Sequence, residues 1–348
     1  MLKVLSLFSG IGAFEVALDE LGIEWELDHY CEIDKYACQS YNCIHGTTDE
    51  DNLKDVTNID YSKIGDIDLV TYGFPCQDIS LAGNQKGFFD EDGNLTRSGL
   101  FFNAADVIRH TNPKFAIFEN VKNLTGKKFK AEFETVLYTL DELGYNTYWK
   151  VLDSSDYGSP QSRERVFGVS IRKDIDKGYT FPKSNSRKTS VRDVIDFRDI
   201  DDLTDNFYKR YISKNGYISE KEFVNYIESL PIRKNKIHTK KMNLYNFEEM
   251  DTITLLDGLS GTLTCRNVQN YNKKYLYDGK LYKPSPRMCF RMMGFKDEYF
   301  DRIKGLSDKE LYNRAGNSIV VDVLKYIFEE LHNQYPEYFS KDEWGSDL

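Results

Sequence analysis

Through the first 180 residues, short apolar runs alternate with apolar positions at helical spacing, a pattern that predicts a mostly parallel sheet with crossover helices. "KVLSLF" (3–8) reads as the first strand, "GAFEVALDELG" (12–22) as a helix stopped by Gly22, and "WELDHYC" (25–31) as the second strand. "DLVTYGF" (68–74), "KFAIFEN" (114–120) and "RVFGVSI" (165–171) read as later strands, with helices at "GLFFNAADVIRH" (99–110) and "KAEFETVLYTLDELG" (130–144). After about Pro182 the pattern changes to aromatic-rich, basic and irregular sequence. One helix start stands out there, in "SEKEFVNYIESLP", where Ser219 and Glu222 have capping-box spacing. Short strand-like pieces such as "GTLTC" and "KYLYDGKLY" follow. "NRAGNSIVVDVLKYIFEELHNQY" (313–335) then restores a strongly amphipathic helix, expected to dock on the first domain. The expected organisation is therefore an α/β domain over 1–183 and 306–348, with a smaller irregular domain over 184–305.

Composition supports a folded chain, since 348 residues with 40% hydrophobic and 14% aromatic content suffice for a large core. "MLKVLSLFSGIGAFEVAL" is interrupted by Glu15 and followed by no small-residue cleavage site, so it does not read as a signal peptide. No run of about 18 apolar residues occurs to span a membrane, and a cytoplasmic protein is expected. The six cysteines, at 31, 38, 43, 76, 265 and 289, include no Cys-x-x-Cys pair and no histidine at zinc spacing. Reduced thiols, without a structural metal or disulfides, are the expectation. The net charge of −10 disfavours a polyanionic partner on its face. However, residues 183–287 hold 20 basic against 14 acidic residues, so this segment is positive while the remainder carries the acidity. "RKNKIHTKK" (233–241) is its densest basic run, readable as a solvated loop or as a surface for phosphates.

Candidate chemistry gathers at the predicted strand ends, where sheets of this kind bind ligands. "LFSGIGAF" (7–14) is a strand, a glycine turn and a helix, which lets backbone N–H groups approach a ligand closely. A dinucleotide fingerprint needs a third glycine where Glu15 stands, and an acid there would repel a pyrophosphate. Glu32, about 20 residues beyond the glycines, can accept both hydroxyls of a ribose. Together these features suggest a nucleoside without a diphosphate, a description that fits S-adenosylmethionine. Pro75 fixes the backbone ahead of Cys76, and a glycine-bearing segment of more than 20 residues after it has lid length. Glu119 falls at another strand end. Arg163 and Arg165, two apart before a strand, can point to one side and stabilise a thiolate, or serve as surface cations or carboxylate partners.

The blocks "FSGIGAFE", "CEID", "KDV" (54–56), "GFPCQDIS", "FENV", "QSRERVFGV" and "AGNSI" (315–319), in this order over almost the whole chain, resemble the DNA (cytosine-5) methyltransferases of bacteria and phages. The resemblance implies a Rossmann-like S-adenosylmethionine-dependent domain joined to a smaller target-recognition domain, 184–305, that reads the major groove of double-stranded DNA. It implies Cys76 as the nucleophile at C6 of a flipped cytosine, with Glu119 at N3, Arg165 holding the base and Arg163 supporting the thiolate and Glu119 side. Cofactor contacts carried over are Phe8, Gly10, Gly12, Glu32, Ile33, Asp55, Val56, Pro75, Asn317 and Ser318, and the cofactor product is S-adenosylhomocysteine. No metal is implied. A monomer associated with the nucleoid is expected, with any restriction endonuclease a genetic and not a physical partner.

One block departs from the family pattern. "PRMCFRMMGF" (286–295) has Met288 where the family usually shows glutamate, which bears on packing or DNA affinity in the recognition domain. Three other readings stand beside the main one. A nicotinamide oxidoreductase lacks its fingerprint here. A tRNA cytosine methyltransferase shares the catalytic core, but its Cys-Phe-Thr motif is absent, since Cys289 and Phe290 precede Arg291. A DNA-binding module that has lost catalysis would not be expected to keep Cys76, Glu119 and Arg165 together.

Overall fold

A computed structural model describes residues 1–80, 86–184, 189–202, 204–215, 217–230, 232–233, 236–238, 252–264 and 274–339. The chain forms two compact units, one of residues 1–153, 164–183 and 323–348, the other of 154–163 and 184–322. These divisions differ from the boundaries read in the sequence: 154–163 and 306–322 belong to the second unit.

In the first unit, strands β1 (Leu2–Leu7), β2 (Trp25–Cys31), β3 (Leu69–Tyr72) and β4 (Phe115–Val121) pair in parallel in the order β2-β1-β3-β4. Helices α1 (Ala13–Leu21), α2 (Lys35–His45) and α3 (Phe101–Thr111) lie in the connections, as the alternating pattern requires. Gly22 ends α1 in the left-handed region with φ 67°, and Asp34 starts α2 by accepting from the N–H groups of Tyr36 and Ala37. Beyond β4, helix α4 (Lys130–Glu142) leads to β5 (Tyr145–Asp153). The two-residue strand β6 (Gln161–Ser162) belongs to the second unit. The chain then returns as β7 (Glu164–Arg172), which pairs antiparallel with both β4 and β5. The edge strand β5 has no place in the sequence reading, because its side chains are mostly half-buried or exposed and carry little apolar signal.

One core cluster packs against this sheet. Val70, Tyr72, Phe74, Phe101, Phe118, Phe129 and Val136 are all essentially inaccessible, and each buried aromatic of this kind contributes about 1.5–3 kcal/mol. Phe118 of β4 faces Gly168 of β7, where a Cβ would lie 2.0 Å from the ring. The glycine therefore makes room for the ring across the antiparallel pair.

The second unit is built on a six-stranded sheet. Its strands are β8 (Ile200–Asp202), β9 (Ile232–Arg233), β10 (Lys236–His238), β11 (Thr252–Leu255), β13 (Tyr275–Tyr277) and β14 (Lys280–Pro284), in the order β8-β14-β13-β11-β10-β9. A two-residue strand, β12 (Ser260–Gly261), pairs with β6 apart from that sheet. Helices α5 (Thr204–Asn215) and α6 (Glu220–Ser229) accompany the sheet, and Phe223 and Ile227 of α6 pack against Ile237, Ile253 and Leu281. The expected capping box is present: the Ser219 N–H donates to the Glu222 carboxylate at 2.7 Å and the Glu222 N–H to Ser219 Oγ at 3.3 Å. "KYLYDGKLY" is a hairpin whose two turn residues, Asp278 and Gly279, have φ 47° and 67°, as a tight twisted turn demands. Most of "RKNKIHTKK" lies outside the described residues, as does 265–273 of the expected recognition domain.

The helix expected over 313–335 is two. After α7 (Pro286–Met292) and α8 (Asp297–Arg302), helix α9 (Asp308–Asn317) ends at Ser318, which is extended, and α10 (Val321–Gln334) begins three residues later. Ile319, Val320 and Val321 form a β-branched run that disfavours helix, so amphipathic spacing continues across a real break. The docking expectation holds for α10, where Phe328 meets Phe14 edge to face and Lys325 pairs with Glu20 at 3.1 Å. Met288 is fully buried in α7 beneath its Ser285 cap. An apolar side chain there avoids the cost of burying a carboxylate.

Replacing Gly168 with alanine should overpack this core by about 1–3 kcal/mol and lower the thermal midpoint. An unchanged midpoint in a melting experiment would show that the Phe118 ring can move aside.

Candidate active site

The thiol is positioned by the end of β3. Phe74 is buried, Pro75 follows, and Cys76 opens a turn in which the N–H groups of Ile79 and Ser80 both donate to the Cys76 carbonyl, at 3.0 and 2.7 Å. The Asp78 N–H donates to Ser98 Oγ at 3.3 Å, pinning the far side of the turn to the start of the helical segment leading to α3. Cys76 itself is half-buried and in no disulfide.

The neighbouring strand supplies the acid. Tyr72 of β3 stands beside Phe118 of β4, so Glu119 and Asn120 continue β4 past the last residue of its neighbour. Asn120 is 1% exposed, and its Nδ2 donates to the Phe74 carbonyl at 3.0 Å while its Oδ1 accepts from the Val121 N–H. This amide ties the segment entering Cys76 to the strand carrying Glu119. From the other side, β7 brings Arg165 opposite Val121, and Arg165 Nε pairs with Glu119 Oε1 at 2.9 Å. The side chains are only 18% and 12% exposed, so the pair sits in low dielectric where a lone charge would be costly. Arg165 also donates to the Glu164 carbonyl at 2.8 Å, which fixes the fork.

After β1, which flanks β3 on the side opposite β4, Phe8, Gly10 and Gly12 have φ of 51°, 58° and 79°. A Cβ on Gly10 would meet nothing within 4 Å, leaving its backbone open to a ligand. One on Gly12 would lie 1.9 Å from His45 Nε2, and the His45 ring also reaches the Ile11 carbonyl at 3.3 Å. Glu32 accepts from the N–H groups of Gly10, Ile33 and Asp34, each at 2.9 Å. Burial pushes its carboxyl above the usual range, opposed by these three donors. Ile33 is 75% exposed beside it. Asp55 is exposed, with one oxygen capping the turn at Thr57, and Val56 is buried in the core. An open glycine backbone, a carboxylate, an exposed apolar side chain and a second acid fit S-adenosylmethionine.

Glu15 does not face that turn. It is fully buried, near Ser6 and Tyr41, with burial raising its carboxyl. Every residue of α1 from Ala13 to Leu18 is buried, so the helix offers this acid no wet face. The repulsion expected of it toward a pyrophosphate has no structural basis.

The two arginines expected on one side have different surroundings. Arg163 belongs to the second unit, where it is 6% exposed and donates to the carbonyls of Leu263, Gly316 and Ser318 at 2.8, 3.3 and 2.9 Å. It thereby joins Ser318, which is buried, to the segment after β6, while Asn317 is exposed at the end of α9. Gln161 anchors the same segment by donating to the Met292 carbonyl at 2.8 Å and accepting from the Leu263 N–H. His45 is absent from the sequence reading, and Asn120 enters it only within the block "FENV", with no role of its own. An amide inside the apolar run "FAIFENV" was the available signal for Asn120, since a buried amide needs partners.

Two substitutions test this geometry. Gly12→Ala should displace His45 and weaken S-adenosylmethionine binding by at least about tenfold, because strain adds to the clash; calorimetric titration showing unchanged affinity would contradict it. Asn120→Ala should leave cofactor affinity intact and lower kcat, while orphaning the Phe74 carbonyl costs about 1–3 kcal/mol in a denaturation experiment.

The family described as C-5 cytosine-specific DNA methylase matches residues 2–333. Type II methyltransferase M2.ScrFI of Lactococcus lactis subsp. cremoris is 36% identical over 283 residues, covering 80% of this chain and 71% of its own length. Type II methyltransferase M.HhaI of Haemophilus parahaemolyticus is 33% identical over 330 residues, covering 94% and 93%. Among solved structures, the S. pombe Dnmt2 methyltransferase shares the fold with a TM-score of 0.64 at 19% identity, over 96% of this chain and 98% of that one. The motif blocks, the α/β fold and these matches lead to one conclusion: the chain belongs to the C-5 cytosine-specific DNA methylases and is an enzyme that methylates C5 of cytosine in DNA.

Proposed function

We propose that Cys76 is the nucleophile, Glu119 the group that manages charge at N3, and Arg165 the residue that orients Glu119. The observation that carries this reading is the Glu119–Arg165 pair, held on a strand that Asn120 ties to the Cys76 turn. C5 of cytosine is a poor nucleophile. A sulfur–carbon bond from Cys76 to C6 moves the ring's C5=C6 electron pair toward C5, with the charge shared through C4 to N3. Glu119, hydrogen-bonded at N3, stabilises that charge and holds the proton taken up there. S-adenosylmethionine supplies an electrophilic methyl group when bound. After C5 is methylated, its proton passes to water, the C5=C6 bond re-forms with expulsion of the Cys76 thiolate, and the N3 proton returns to Glu119.

Glu32, Asp55 and the backbone of Phe8, Gly10 and Gly12 would hold the nucleoside of the cofactor, with Ile33, Val56 and Pro75 as apolar walls. Asn317 and Ser318 would serve its methionine end, and Arg163 would hold Ser318 in place. Its buried bonds to three carbonyls support a positioning role for Arg163. A base in a duplex cannot reach a half-buried thiol without leaving the stack, at a cost of a few kcal/mol. Base flipping, with the segment after Cys76 closing behind, is therefore part of the reading, and the second unit is assigned to target recognition. A monomer working in the cytoplasm fits these roles. A restriction endonuclease, where one exists, would be linked genetically.

Cys76→Ser should reduce methyl transfer to genomic duplex DNA on the order of a thousandfold or more, while duplex binding persists in a mobility-shift assay. Appreciable turnover by that variant would contradict covalent catalysis.

A further inference from the structure

We propose that the lysines following β4, namely Lys122, Lys127, Lys128 and Lys130, form a seat on the first unit for the phosphate backbone of the duplex, separate from the recognition segment. The proposal rests on the methyltransferase reading above and adds a surface to it. Residues 122–131 contain four lysines and no acid, in a chain whose net charge is −10. The run begins three residues after Glu119, at the sheet edge where the thiol and its acid stand.

The segment is built to present these cations. It forms two short 3-10 turns, Lys122–Thr125 and Lys127–Phe129, whose apolar members Leu124 and Phe129 are buried in the core at 0% and 1% exposure. Asn123 Nδ2 donates to the Ile79 carbonyl, so the turns share a frame with the Cys76 turn. All four lysines are exposed while these anchors point inward. Lys122 pairs with Glu164 at 2.7 Å and Lys130 with Glu134 at 3.4 Å, but at 48–75% side-chain exposure such pairs are weak and easily exchanged for phosphates.

Local stability does not account for the run. Like charges this close in sequence repel, and Lys130 at the first position of α4 opposes the helix dipole, which Glu132 in the same turn complements. A linear polyanion removes both penalties. Double-stranded DNA offers one charge per about 1.7 Å of axis, and contacts to it fix position without reading sequence. The seat would thus hold the strand at the catalytic edge whatever motif the second unit reads.

The test compares wild type, Lys127→Ala/Lys128→Ala and a control pair, Lys3→Ala/Lys63→Ala, whose exposed lysines lie at the start of β1 and in a turn ahead of β3. Binding of a fluorescent duplex is measured across about 50 to 200 mM salt. The Lys127/Lys128 variant should give a plot of log affinity against log salt shallower by roughly two, with unchanged melting and S-adenosylmethionine affinity. The control pair should keep the wild-type slope. A wild type that methylates DNA, with an equal slope in the Lys127/Lys128 variant, or an equal loss of slope in the control, would overturn the proposal and leave the catalytic reading standing. A wild type that neither binds nor methylates duplex DNA would overturn both.

Discussion

The hydrogen bond from the Asn120 side chain to the Phe74 carbonyl is the constraint on which the catalytic edge depends. Parallel pairing aligns β3 and β4 only as far as Tyr72 and Phe118. Beyond those residues the two chains diverge, one toward a thiol and the other toward a carboxylate. A single buried amide, 3.0 Å from the carbonyl, keeps their relative position from being left to loop entropy. On the proposed reading both groups meet one cytosine ring, so a small displacement of either would cost rate more than affinity.

Charge is arranged around that constraint with the same economy. Glu119 is nearly enclosed, and Arg165, delivered by the antiparallel strand β7, gives it a fixed partner at 2.9 Å. The antiparallel half of the sheet thus has a chemical use: it brings a cation to the carboxyl end of a parallel strand. Glycine does comparable work twice, at Gly168, where a side chain would collide with Phe118, and at Gly12, where it would collide with His45. The first keeps the strand pair closed, and the second keeps the glycine turn seated against His45 of α2.

Most of the first unit was legible because parallel strands and their helices carry strong periodicity, and the site residues fell at predictable strand ends. Four features resisted for physical reasons. Glu15 looked like a ligand-facing acid, yet α1 is buried all round over its first turns, and no pattern marks which side such a helix turns to solvent. The amphipathic stretch 313–335 kept its spacing across the break at Ser318, because both helices present apolar residues in similar phase. The edge strand β5 gained too little burial to show an apolar run. The partner of Arg163 was not readable either, since three backbone carbonyls distant in sequence leave no side-chain signature. The motif blocks indicated the family where periodicity alone could not.

The most direct test of the central claim is to incubate the purified protein with S-adenosylmethionine and unmethylated genomic DNA, then map methylated cytosines by bisulfite sequencing. Protection of cytosines within one short motif is the predicted result, and it would supply the recognition sequence as well. Full conversion of every cytosine, with the protein folded and S-adenosylmethionine bound, would contradict the account.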